Sequence, residues 1–122
     1  MKFIRLRDVQ GEFFKTGRHT RVLIGANSPV QAESFVTGVV VIKPDGNVPL
    51  HQHLQEEVYY ILDGTGEMIV EEDIKIIDST AAIYIPSNAK HSLKNIGKKD
   101  LTMLFIYSPS GVVSHWAEES ST

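Results

Sequence analysis

A chain of 122 residues with 42% hydrophobic content and no cysteine is long enough to bury one core, too short for two, and offers no thiolate to a metal or a disulfide. Twelve Lys and Arg against fifteen Asp and Glu leave a formal net charge of −3, which argues against general nucleic-acid or polyanion binding. No segment is apolar for long enough to cross a membrane and the N-terminus carries no secretory pattern, so the cytoplasm is the expected location.

The first residues, Met1-Lys2-Phe3-Ile4-Arg5-Leu6-Arg7, alternate apolar and charged side chains, and a strand is expected over Phe3–Leu6. All four arginines, Arg5, Arg7, Arg18 and Arg21, fall within the first 21 residues. They could mark an anion-binding rim, but solvated side chains on edge strands are the simpler expectation. His19 has no partner in sequence and reads as a surface residue. Strands are expected next over Thr20–Ile24 and Ser34–Ile42. The second is more apolar than a solvent-facing sheet of so small a protein needs, which points to packing against a second copy and a homodimer.

Asp45-Gly46 signals a tight turn, and the residues after it carry the most chemistry in the chain. His51 and His53 are two apart, so on an extended backbone both imidazoles project from one face; Glu57 keeps that parity if the extension continues. A β-branched and aromatic strand, Glu57–Leu62, follows and ends at a second turn, Asp63-Gly64, which places the three residues around a bend. Imidazole nitrogen with carboxylate oxygen suits one divalent transition ion, Fe or Mn first, with Ni, Zn, Co or Cu as further candidates. Tyr59 and Ile61 share the face of Glu57 and should point inward beside it, whereas Val58 and Tyr60 face the opposite layer.

Further strands are expected over Glu67–Val70, Ile74–Ile77 and Ala81–Ile85, with Glu71-Glu72-Asp73 as a charged hairpin tip. Pro86 and Asn88 then interrupt the chain before His91, which lies 34 residues after Glu57 and opens a strand over His91–Asn95. Leu93 and Asn95 share the face of His91 and should also point inward, Asn95 hydrogen-bonding locally in preference to binding an ion. Lys90, of opposite parity, should be solvated. A last strand is expected over Leu101–Tyr107. Beyond it, Pro109 and Gly111 form a turn, and Val112, Val113 and Trp116 fall at helical spacing, a piece that packs on the barrel or covers its mouth with His115 nearby.

Two sets of spacings recur here together. Gly46, His51, His53, Glu57 and Gly64 fit the pattern Gly, about five residues, His-x-His, three or four residues, Glu, six residues, Gly, with four residues between Gly46 and His51. Pro86, His91 and Asn95 fit the pattern Gly, five residues, Pro-x-Gly, two residues, His, three residues, Asn, with Thr80 and Asn88 standing at the two glycine places. In these motifs the chain resembles the cupins. Asn tolerates a left-handed backbone better than other non-glycine residues, so Asn88 is a mild departure, while Thr80 implies a differently shaped turn.

The resemblance implies an all-β, cupin-type jelly-roll β-barrel, also described as a double-stranded β-helix, in one domain over 1-122, with the first motif near 46-64, the second near 80-95 and a short tail over 108-122. It implies a metal centre of His51, His53, Glu57 and His91. Four protein ligands on a six-coordinate ion leave two positions for substrate, or for substrate and dioxygen. The leading expectation is a metal-dependent oxidoreductase of the dioxygenase type acting on a small oxygen-bearing molecule, with Glu57 and Tyr59 as catalytic candidates and Tyr59, Ile61, Leu93 and Asn95 as substrate contacts. A non-redox isomerase or decarboxylase on the same ion, and a non-catalytic module binding a sugar or organic acid, are the alternatives, since fold alone does not choose among them.

Overall fold

The computed structural model describes residues 1–111, and the expected C-terminal turn bearing Val112, Val113, His115 and Trp116 lies outside the described residues. Among the described residues there are ten strands: β1 (Glu12–Phe14), β2 (Arg18–Ile24), β3 (Val36–Ile42), β4 (Asn47–His51), β5 (Glu56–Asp63), β6 (Gly66–Val70), β7 (Asp73–Ile77), β8 (Ala81–Ile85), β9 (His91–Asn95) and β10 (Leu101–Ser108). They form two antiparallel sheets, a six-stranded one in the order β1-β2-β3-β10-β5-β8 and a four-stranded one in the order β4-β9-β6-β7. This is the all-β jelly roll that the motifs imply. Among the described residues no helix is long and apolar enough to cross a membrane.

Alternation along the strands builds the core. In β10, Leu101, Met103, Phe105 and Tyr107 are buried while Ile106 and Ser108 face out, and Ile61 and Tyr59 of β5 with Leu93 of β9 close the space between the sheets. The inward ring of Phe105 lies over Gly38 of β3, where an added Cβ would come within 2.9 Å of it and 2.3 Å of the Arg21 carbonyl oxygen, so this strand position admits no side chain. Asn88 adopts φ 62°, the left-handed conformation for which Asn is the mildest substitute for Gly.

The N-terminal alternation does not make a strand. Residues before Leu6 are irregular and Leu6–Asp8 form one 3-10 turn, because the edge of the large sheet is taken by β1, which pairs Phe13 with His19 and Phe14 with Arg18. Alternation describes a strand only where a neighbour supplies hydrogen bonds. Two strands carried too weak a pattern to be read in advance: β1 has three residues, and β4 contains Pro49, which cannot donate to a ladder and sits where the pairing with β9 shifts between Val48 and His51. The apolar run of β3 is used inside the chain, with Val36, Val40 and Ile42 in the core. The apolar residues left outside include Tyr60, Leu62, Tyr84 and Ile106 on the outer face of the large sheet.

Candidate metal centre

Four side chains from both sheets meet at one point. His51 ends β4, His53 follows in the connection, Glu57 lies on β5 and His91 opens β9 opposite His51. The extended run does not continue from His53 to Glu57: the chain bends at Leu54-Gln55 and crosses from the four-stranded to the six-stranded sheet. Convergence therefore comes from the crossing and not from parity along one strand. One ligand atom from each of His51, His53, Glu57 and His91 lies within 4.8 Å of every other. Bonds of about 2.0–2.2 Å to a common ion would bring neighbouring donors to about 3 Å, so a modest contraction closes the set.

The hydrogen bonds behind the rings set their chemistry. Nδ1 of His51 bonds the Pro49 carbonyl oxygen at 2.7 Å, Nδ1 of His53 that of Gln55 at 3.0 Å and Nδ1 of His91 that of Ala89 at 2.8 Å. A carbonyl oxygen only accepts, so each Nδ1 carries the hydrogen, and in the neutral ring the lone pair sits on Nε2. All three imidazoles are thus held as Nε2 ligands by their own backbone, the second tier of support that metal-binding histidines need. Nε2 of His53 meets Glu57 Oε1 at 3.1 Å and Nε2 of His91 meets it at 3.3 Å. The His91 approach lacks hydrogen-bond geometry, and among the described residues His91 Nε2 is a buried polar atom without a hydrogen-bond partner. An orphan of that kind is costly unless something else binds it, and a cation is the group that a lone pair beside a carboxylate fits.

Electrostatics in the cluster follow from burial and contact. Burial opposes charge on His53, but the hydrogen bond and negative charge of Glu57 outweigh it and raise its pKa above the ordinary 6.5. Burial pushes the Glu57 carboxyl up, and its contacts with His53 and His91 overcome this and hold it below the ordinary 4.5. Glu57 is therefore a buried carboxylate that stays charged. Burial, with the charge of Glu57 beside it, drives the Tyr59 phenol well above 10, and the same two causes push Tyr107 up to about 12. Both are protonated at neutral pH.

The cluster opens into a cavity of ≈ 10 Å³, room for about one water molecule or ion, whose walls include Arg18, Thr20, Tyr59, Met103 and Phe105. Tyr59 lies at its edge with the ring 5.8 Å from that of His91. Ile61, Leu93 and Asn95 point inward as their parity requires but sit deeper in the core. The Asn95 amide nitrogen donates to the Ile42 and Lys99 carbonyl oxygens at 2.9 and 2.8 Å, and its oxygen accepts from the Gly97 N–H at 2.9 Å. That bonding fixes the turn after β9.

Arg18 departs from its expectation as a solvated edge residue. It is 2% exposed, donates to Thr16 Oγ1 at 2.6 Å and lies 4.1 Å over the Phe14 ring. Arg5 and Arg7 are exposed, as expected of edge arginines. Placing β2 from Arg18 instead of Thr20 would have revealed it, because Arg18 and Thr20 then share the inward parity. His19 lies on the outer face, stacked at 3.8 Å on Phe13 and bonded through Nε2 to the Gln10 carbonyl oxygen.

Comparison with known proteins agrees with the fold and the motifs. A family model described as Cupin domain matches residues 38–107. Auxin-binding protein 1 of Arabidopsis thaliana is 35% identical over 74 residues, which is 53% of this chain and 37% of that protein. The chain spans less than half the length of the curated relatives it matches. Among solved structures, the polyketide cyclase RemF from Streptomyces resistomycificus superposes with a TM-score of 0.77 at 22% identity, over 93% of this chain and 87% of that one. A predicted oxalate decarboxylase from Thermotoga maritima superposes with a TM-score of 0.76 at 22% identity, over 89% and 99%. At such identity the likeness is one of fold.

Proposed function

The chain belongs to the cupin family, and from that premise we propose that it is a metal-dependent enzyme, an oxidoreductase of the dioxygenase type, which acts on a small oxygen-bearing molecule at His51, His53, Glu57 and His91. What supports this above all is the set of three imidazoles whose Nδ1 atoms are bound to backbone carbonyls, so that their Nε2 atoms converge on one buried, charged carboxylate. When bound, a redox-active divalent ion such as iron or manganese supplies electrons to dioxygen and polarises a substrate's oxygen atoms.

The residues themselves have limited roles, and these favour that chemistry. His51, His53 and His91 hold Nε2 lone pairs in place, and Glu57 balances charge while fixing the site's geometry. Tyr59 keeps its proton and can only donate it. Among the described residues the cavity wall offers, beyond the four cluster residues, no group that takes a proton at neutral pH, which disfavours a reaction that begins by abstracting a proton from carbon. Oxygen-dependent cleavage asks less of the protein: binding, orientation and exclusion of bulk water.

A second reading is a non-redox decarboxylase, in which a protonated phenol at the cavity serves a different purpose. Loss of carbon dioxide leaves a carbanion, and in this reading Tyr59, which lines the cavity, returns a proton to it. Oxygen uptake by iron-loaded protein, measured with small diketones, phenols and hydroxy acids, separates the two. Uptake coupled to substrate loss supports the oxygenase. Carbon dioxide release without uptake selects the decarboxylase, and binding without turnover under any metal overturns both.

A further inference from the structure

The cavity has a second polar wall that the metal cluster does not use. Arg18 and Thr20 stand on the inward face of β2, two residues apart, and both line the space that His51, His53 and Glu57 line. The rest of the lining includes Val40, Val48, Met103 and Phe105. The Arg18 guanidinium is 2% exposed among them. Its position is fixed: it is tied to Thr16 Oγ1 at 2.6 Å and stacked 4.1 Å over Phe14, so little orientational freedom remains to be lost on binding a ligand. Thr20 is 5% exposed, and its Oγ1 is buried with no hydrogen-bond partner among the described residues. A valine would fill that position with a methyl group and leave nothing unsatisfied, so the hydroxyl serves no structural purpose among the described residues.

We propose that Arg18 and Thr20 form a carboxylate-binding subsite within the metal cavity, so that the substrate class is small carboxylic acids bearing a further oxygen donor. This rests on the metal-enzyme reading given above. A guanidinium presents a planar fork of N–H donors that matches the two oxygens of a carboxylate, and a threonine hydroxyl beside it adds a third donor. The acid group at this wall and the further oxygen at the cluster hold the molecule at two points. That constrains its orientation in a way that a single coordinating oxygen does not. The cavity as it stands has room for about one water-sized species, ≈ 10 Å³, so only a small acid enters, and only as lining side chains yield space. Met103, with three rotatable bonds, is the lining side chain best able to yield the remaining space. The apolar wall rejects a second charge, so an acid whose far end carries a hydroxyl or carbonyl fits better than one with a distant amine.

The test compares glycolate with glycolamide, which differ only in the acid group, by titration calorimetry on manganese-loaded wild type, Arg18→Gln and Thr20→Val, with manganese uptake measured separately on each. The expected result is that Arg18→Gln weakens glycolate at least about tenfold and Thr20→Val a few-fold, while glycolamide binding and manganese uptake shift less than about twofold. General damage to the barrel cannot produce that selective loss. Unchanged glycolate affinity in both variants with intact manganese uptake overturns the subsite and leaves the metal centre standing. Should Arg18→Gln fail to fold, Thr20→Val decides alone, since it removes only an unpartnered hydroxyl. If wild type takes up neither manganese nor iron, the metal-enzyme reading has failed, and the same titrations on ion-free protein still judge the subsite: glycolate binding that depends on Arg18 and Thr20 supports it, and binding that does not overturns it.

Discussion

Nε2 of His91 lies 3.3 Å from Oε1 of Glu57, fully buried, and makes no hydrogen bond among the described residues. The two residues come from opposite sheets, β9 and β5. A lone pair and a carboxylate held face to face by two separate sheets are a pair of acceptors that a cation would satisfy, and that relationship supports the proposal that the cluster binds a metal.

The tautomers are directly observable. Because Nδ1 of both His51 and His91 donates to a carbonyl oxygen, at 2.7 and 2.8 Å, nitrogen NMR of ion-free protein should show the neutral form of each ring with its hydrogen on Nδ1. The Nε2–H form in either ring would mean that it is not held as an Nε2 ligand.

Glu57→Gln keeps volume and removes charge. Turnover should fall by more than about a hundredfold and metal affinity by at least the 10–100-fold typical of losing an outer supporting contact, with circular dichroism unchanged. Full turnover in Glu57→Gln would place the chemistry elsewhere.

Stability should depend on pH in opposite senses with and without the ion. Glu57 is held below its ordinary 4.5, so it stabilises the fold above that value and the contribution is lost as pH falls through the depressed one. His53 is raised above 6.5, so its contribution is complete below that value and is lost as pH rises through the raised one. Ion-free protein should therefore melt highest at mildly acidic pH, between the two ordinary values. Metal binding requires neutral imidazole and adds stability by mass action, so the gain in melting temperature on loading should grow from pH 5 to pH 8. Scanning fluorimetry of chelated and loaded protein checks this, and a gain that is flat or shrinks with pH would contradict it.

Core and surface should separate cleanly within the small sheet. Leu93 is fully buried between the sheets, and Leu93→Ala should cost about 2–5 kcal/mol by chemical denaturation. Ile74 on the edge strand β7 is 62% exposed, and Ile74→Ala should stay within about 0.5 kcal/mol. A Leu93→Ala variant with native stability and weakened substrate binding would instead make Leu93 a contact residue.

Much of this molecule was readable before its fold was known. Strands β5, β6, β8, β9 and β10 announce themselves because each alternates about a buried face, whereas β7 is exposed along most of its length and is marked by its β-branched residues after the acidic turn; the four ligands stand out because His-x-His, Glu and a distant His occur at motif spacing. What was not legible depended on neighbours. Phe3–Leu6 alternates but finds no partner strand, β4 pairs despite Pro49, and Glu57 joins the histidines by a crossing between sheets that local parity cannot show. Arg18 was misjudged because one charged residue at a strand's start looks solvated until the strand's inward face is known.

The most direct test of the metal centre is elemental analysis of protein purified without an affinity tag, set beside His91→Ala and His19→Ala. One divalent transition ion per chain is expected in wild type and in His19→Ala, whose ring lies on the outer face against Phe13, with most of it lost from His91→Ala. Equal metal content in all three proteins, or none in wild type even after incubation with iron or manganese, would contradict the assignment of His51, His53, Glu57 and His91.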